Sequence, residues 1–460
     1  MDAVRPVAQE LSAALSDEGS TRSHQALSLL LPLLPLDVRA RAACVCRAWR
    51  TATSNPLLWE ELSFKRCAAR VCDATLARLC ARAGAALRTL DLEADACKLV
   101  CTAGLLAALR DGGCTGLLRL STLLTNNGRC LSQVLDAADV QELVAACPML
   151  QYTACTVWCS LSDAAAVDAA AAATALSGPV TLECWGDSAR ADLTQLADYL
   201  RISTTVTSLK VVSDSIGDAG AAQLAQCLRV NPTLTSLVLG QANIGDAGTA
   251  QLAECLRVNT TLTNLELYRN GVGAEGATRL AECLRVNATL TSLNLFNNSI
   301  GDAGATQLAD CLRINTTLKS LNLSYNGIGA EGAGQLAECL RANATLTELN
   351  LGSNQFFEAG ARQLAECLHV NTTLARLNLN WNGIDDAGAT HLAQCLRVNV
   401  TLTNLELLQN CFGDAGATQL AESLRQNATL TSLVLGFNGI SEEVMHALRQ
   451  ACAPQCALCV

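Results

Sequence analysis

Leu234-Thr235-Ser236-Leu237-Val238-Leu239-Gly240-Gln241-Ala242-Asn243-Ile244-Gly245-Asp246 opens a unit that recurs every 28 residues. Its Leu-x-Leu signature returns at Leu209, Leu237, Leu265, Leu293, Leu321, Leu349, Leu377, Leu405 and Leu433 with no insertion between copies. Leu237 and Leu239 alternate with outward positions, as in a strand with one buried face. Leu252, Cys255 and Leu256 recur instead at the i, i+3, i+4 spacing of a helix. Each unit is therefore expected to run strand, turn, helix. A single unit leaves both of its sides exposed, so it is stable only when stacked on neighbours. Stacked strands sit ~4.8 Å apart and packed helices ~8–10 Å apart, so the stack must curve with its strands inside.

The polar residues between these elements have expected local roles. Asp246 suits the cap of its own helix, and Arg257 opposes the dipole at the other end. Asn259 is expected in the left-handed position that ends the helix. Asn270, Asn298, Asn326, Asn354, Asn382, Asn410 and Asn438 form a second column, each able to hydrogen-bond backbone within a tight turn. Asp214 and Ala242 break that column.

The pattern resembles the ribonuclease-inhibitor class of leucine-rich repeats over roughly residues 204–440. The resemblance implies an α/β fold, a leucine-rich-repeat horseshoe solenoid with parallel strands inside and helices outside. Nine regular repeats would fill 204–440, with a C-terminal cap over 441–460.

Two repetitive features imitate sites. Cys227, Cys255, Cys283, Cys311, Cys339, Cys367 and Cys395 occupy one helical position. Helices ~8–10 Å apart exceed the ~7 Å Cα limit of a disulfide, and Ser423 takes the eighth equivalent position, so core packing is the expected role. The sequons at Asn259, Asn287, Asn315, Asn343, Asn371, Asn399 and Asn427 share the period of the helix-to-strand turn, and turn chemistry accounts for them.

Outward positions on and just after the strands change from copy to copy while the framework stays nearly verbatim. They give Glu266, Tyr268, Arg269, Phe296, Asn297, Tyr325, Glu348, Arg376, Asn378, Trp381, Glu406, Leu408 and Phe437, all expected on the concave face. Five aromatics there, in a chain with 3% aromatic residues, mark a candidate surface for a protein partner. The plain alternative is that these rings cover adjacent strands.

Residues 1–20 are small and polar, as in a flexible tail. Over 21–66, Val38, Ala42, Val45 and Trp49 make one apolar helical face, and Asn55-Pro56 marks a turn before Leu58-Trp59. Taken alone, these residues also fit an ordinary helical cap. Val45-Cys46-Arg47-Ala48-Trp49 and Pro56-Leu57-Leu58-Trp59 resemble the F-box. The resemblance implies a small all-α domain that binds the Skp-type adaptor of a cullin ubiquitin ligase through Leu34, Pro35, Val38, Val45, Cys46, Trp49, Pro56, Leu58 and Trp59. The repeats would then choose the protein substrate. A regulator resembling ribonuclease inhibitor or a Ran GTPase-activating protein is the competing reading, and adaptor binding separates the two.

Residues 67–203 carry echoes of the repeat at Leu87 to Leu92, Leu143 to Leu150 and Val180 to Leu182. These read as degenerate repeats or a linker layer, with breaks at Gly112-Gly113 and Ser177-Gly178-Pro179. Cys452, Cys456 and Cys459 could hold zinc only with a fourth ligand such as His446, and a frayed end is the simpler expectation.

Over 460 residues, a net charge of -10 and a pI near 5.0 argue against nucleic acid. No apolar run suits a bilayer or a secretion signal, which points to a cytoplasmic or nuclear protein with reduced thiols. His24, His369, His391 and His446 are scattered, and no catalytic motif accompanies them. The expectation is a protein-binding chain with no enzyme activity, cofactor or metal.

Overall fold

In the computed structural model, residues 60–63, 73–92, 102–117, 119–121, 137–150, 152–160, 180–185, 193–214, 216–452 and 456–459 are described. The tail expected over 1–20 and all nine adaptor-binding candidates from Leu34 to Trp59 lie outside them, as does Ser177-Gly178-Pro179. The chain divides into two compact units, one of residues 1–159 and 168–183, the other of 160–167 and 184–460.

The first unit contains β1 (Glu61–Ser63), α1 (Asp73–Ala83), β2 (Thr89–Asp91), α2 (Thr102–Asp111), β3 (Arg119–Ser121), α3 (Ala137–Ala146) and β4 (Tyr152–Ser160). Its strands pair in parallel in chain order. Leu62, Leu90, Leu120 and Thr153 share one rung, at steps of 28, 30 and 33 residues. The irregular echoes are thus strand–helix repeats of drifting length. Leu62, Leu87, Leu90, Leu92 and Leu120 are fully buried. Gly112-Gly113 is no break between domains: it turns the chain out of α2, with Gly113 at φ +65° and the Gly112 N–H donating to Ala108 O. A β5 strand (Val180–Trp185) lies where the two units divide.

The second unit starts at α4 (Thr194–Ile202) and β6 (Val206–Val212). It continues through α5 (Gly217–Leu228), β7 (Ser236–Gly240), α6 (Asp246–Leu256), β8 (Asn264–Glu266), α7 (Ala274–Leu284), β9 (Ser292–Asn294) and α8 (Gly301–Leu312). Then come β10 (Ser320–Asn322), α9 (Ala330–Leu340), β11 (Glu348–Asn350), α10 (Phe357–Leu368), β12 (Arg376–Asn378) and α11 (Asp386–Leu396). The last elements are β13 (Asn404–Glu406), α12 (Asp414–Leu424), β14 (Ser432–Val434), α13 (Glu442–Ala451) and β15 (Ala457–Cys459).

Strands β6 to β15 are parallel and ordered as in the chain, with each signature leucine opposite its counterpart one repeat away. The expected horseshoe solenoid is the fold of this unit. The core lies between strands and helices: Leu237, Leu239, Ile244, Leu252, Cys255, Leu256 and Leu262 are each at most 1% exposed. The equivalent positions of the copies through Leu430 are buried too, with Val272, Phe356 and Phe412 in place of the isoleucine and Ser423 in place of the cysteine.

Three local expectations are corrected. Asp246 does not cap its own helix: Gly245 is the α6 cap residue and makes no side-chain bond. The Asp246 carboxylate instead accepts the Gly273 and Gly276 N–H groups at the start of α7, in the next repeat. Asn259 is not left-handed, because its side chain is engaged across repeats: its amide donates to Leu228 O at 2.7 Å and its oxygen accepts the Thr261 and Leu262 N–H groups. The C-terminus is not frayed over 457–459, since Ala457, Leu458 and Cys459 pair with Ser432, Leu433 and Val434.

The capping arrangement follows one rule. Asp218, Asp302 and Asp386 each cap the next helix as Asp246 does, and Asp414 reaches Ser441 N at 2.7 Å. Where the preceding repeat has Ala274 or Ala330 at that position, the next helix begins one residue earlier through a left-handed residue, Gly301 or Phe357. After α10, which carries Glu358 there, Asp385 caps α11 itself.

Candidate partner-binding face

Each strand from β7 to β14 is followed by a residue held at φ between 53° and 60°: Gln241, Arg269, Asn297, Tyr325, Ser353, Trp381, Gln409 and Phe437. The Asn column beneath imposes this turn. Asn354, for example, donates to Leu323 O and Leu351 O and accepts the Asn326 and Ile328 N–H groups, all at 2.9–3.1 Å. Asn tolerates a left-handed backbone, whereas a bulky side chain there costs roughly 1–2 kcal/mol.

The expected face residues separate into three groups. Tyr268 is half-buried and folds over Gly240, where no side chain leaves room for its ring. Phe296, also half-buried, lies edge-on to Tyr325 at 6.3 Å between ring centroids and takes the Arg269 guanidinium over its face at 5.8 Å. For Tyr268 and Phe296 the covering role holds. A shallow basin of about 550 Å³ adjoins Arg269, lined also by Asp214, Gln241, Asn243 and Asn297.

The charged residues on the strands are satisfied within the protein. Arg376 pairs with Glu348 at 3.5 Å across β11 and β12. Glu406 accepts the amides of Asn378 and Asn380 at 2.5 and 2.8 Å, and Asn380 in turn accepts the Leu408 N–H. Glu266 accepts Asn264 and Asn294 at 3.3 Å.

Three aromatics stay open to solvent: Tyr325 at 57%, Trp381 at 49% and Phe437 at 81% exposure. Phe357 joins them at 56%, with its ring over Gly383, and was not singled out from the sequence. Its signal was readable: Phe356-Phe357 stands where most copies have Ile-Gly or Val-Gly.

The cysteine ladder lies in the core, at most 1% exposed. Most of its thiols donate to the carbonyl three residues earlier, as Cys283 does to Leu280 O at 3.1 Å, and burial pushes Cys283 up to about 12. Each sequon asparagine is 5–7% exposed, with its amide nitrogen engaged. His369 bonds Ala365 O within its own helix, and His446 bonds Gln450. Among the described residues, no group of three or more metal-ligating side chains gathers.

The sequence model of the F-box-like family matches residues 25–65, which contain every adaptor-binding candidate named above. A leucine-rich-repeat model matches 230–253, 258–281, 286–309, 315–337, 342–365, 370–393 and 426–443. The chain joins an F-box-like segment to leucine-rich repeats. The repeat around Leu405, which that model passes over, is as regular as the others: β13 pairs on both sides. No curated protein matches the F-box-like leucine-rich-repeat chain. Among solved structures, the yeast complex of Rad7 and Elc1 is similar at 14% identity, over 99% of this chain and 96% of that one, with a TM-score of 0.48. Leiomodin-1 actin-binding site 2 is similar at 25% identity over 33% and 88%, with a TM-score of 0.29.

Proposed function

We propose that this chain is a non-catalytic substrate receptor of an SCF-type cullin ubiquitin ligase, with its F-box-like segment on a Skp-type adaptor and its repeat face on a protein substrate. The observation that carries this reading is the F-box-like match over 25–65 in the same chain as the solenoid. A scaffold that turns over many copies of a framework while varying one surface suits selection of a partner. Exposed Tyr325, Trp381 and Phe437 are the residues on that surface best suited to anchor one. On this reading the chain carries no catalytic activity of its own and works in the cytoplasm or nucleus.

Size-exclusion chromatography of the full chain mixed with a Skp-type adaptor tests the reading. Co-elution supports it. Separate elution of two folded proteins favours the competing reading of a free-standing regulator of the ribonuclease-inhibitor kind.

A further inference from the structure

The exposed aromatics are not scattered. Tyr325, Trp381 and Phe437 occupy the same turn position in every second repeat, 56 residues apart in the chain. Parallel strands lie ~4.8 Å apart, so these side chains project at intervals of roughly 9.6 Å along the solenoid. Polyproline II rises ~3.1 Å per residue with three residues per turn, a repeat of roughly 9.3 Å. An extended strand alternates its faces every two residues and does not match that interval.

Three further observations bear on what occupies the row. Each ring sits at a left-handed φ of 57–60°, a conformation that Asn297 holds at φ 54° in an equivalent turn. The Asn column holds this turn for Gln241, Ser353 and Gln409 as well, and the three rings it presents are left open to solvent. The neighbouring charged side chains are engaged within the face, Arg376 paired with Glu348 and the Glu406 carboxylate hydrogen-bonded by Asn378 and Asn380. The three rings of the row are themselves uncharged, and aromatic-lined grooves are what proline-rich segments dock on.

We infer that Tyr325, Trp381 and Phe437 form a docking row for an uncharged polyproline II segment of a partner protein, with an apolar residue at every third position. The inference rests on the proposal that the repeat face takes a protein partner, but not on the adaptor.

The test is a fluorescence titration of the full chain with a labelled oligoproline peptide, against a glycine-serine peptide of equal length. Saturable oligoproline binding that persists at high salt is expected, with at least a tenfold loss in Trp381→Asn and in Phe437→Asn. Both variants should melt no lower than the parent, because Asn is native to this turn at Asn297. Absence of saturable binding, equal binding of the glycine-serine peptide, loss of binding with salt, or unchanged affinity in both folded variants overturns the inference. Adaptor co-elution is scored separately, so failure of the ligase reading leaves this result readable on its own.

Discussion

The carboxylate of Asp246 lies 2.7 Å from the backbone nitrogen of Gly273, one repeat away, and 2.9 Å from that of Gly276. A helix cap supplied by a neighbour is an interface bond as well as a local one, so it couples adjacent repeats. Asp246→Ala should cost about 1–2 kcal/mol in urea unfolding and broaden the transition, because the repeat interface weakens. Glu275→Ala, whose exposed carboxylate pairs with Arg279 in its own helix, should stay within about 0.5 kcal/mol of the parent.

Asn354 should be among the costliest polar positions to change. Asn354→Ala strands the Leu323 and Leu351 carbonyls and the Asn326 and Ile328 N–H groups in the core. A loss of at least about 2 kcal/mol follows from leaving such groups unpaired. A stability change under 1 kcal/mol in the same unfolding assay would show that water or a neighbour replaces the asparagine.

The sequons should not be read by glycosylation machinery in the folded chain. At Asn287 the amide nitrogen that a glycan would need donates to Leu256 O at 2.7 Å, and the residue is 6% exposed. Folded protein offered to an oligosaccharyltransferase should gain no mass, while an unfolded peptide spanning Asn287 should be modified.

Alkaline pH should unfold the solenoid through its cysteine ladder. Burial raises Cys255, Cys283, Cys311, Cys339 and Cys367 from 9.0 to about 12. The unfolded chain therefore loses these protons first. Their stabilising contribution is complete below pH 9 and declines as pH rises from 9 towards 12. The melting temperature should fall steeply across that window, and replacing three of these cysteines by alanine should flatten the slope. An unchanged slope would assign the alkaline loss to other groups.

Much of the fold was legible because its rules are periodic. Leu237 and Leu239 fixed the strand, Leu252 and Leu256 the helix, and the strand and helix spacings the curvature. The cysteines and sequons could be assigned to the scaffold for the same reason. The roles of Asp246 and Asn259 were not legible, because both side chains act on a different repeat and sequence rules for caps look only along one helix. The irregular first unit hid its strands behind steps of 28, 30 and 33 residues. On the face, residue identity named Tyr268 and Trp381 alike. Only the fold separates a ring seated over Gly240 from one left in solvent.

The most direct test of the receptor reading is isothermal titration of the full chain with a Skp-type adaptor, comparing the parent with a Val45→Asp and Trp49→Asp double variant and with Trp381→Asn. The account predicts a one-to-one complex that the double variant loses at least a hundredfold and that Trp381→Asn leaves unchanged. Absence of heat with a folded parent, or equal affinity in the parent and the double variant, would contradict it.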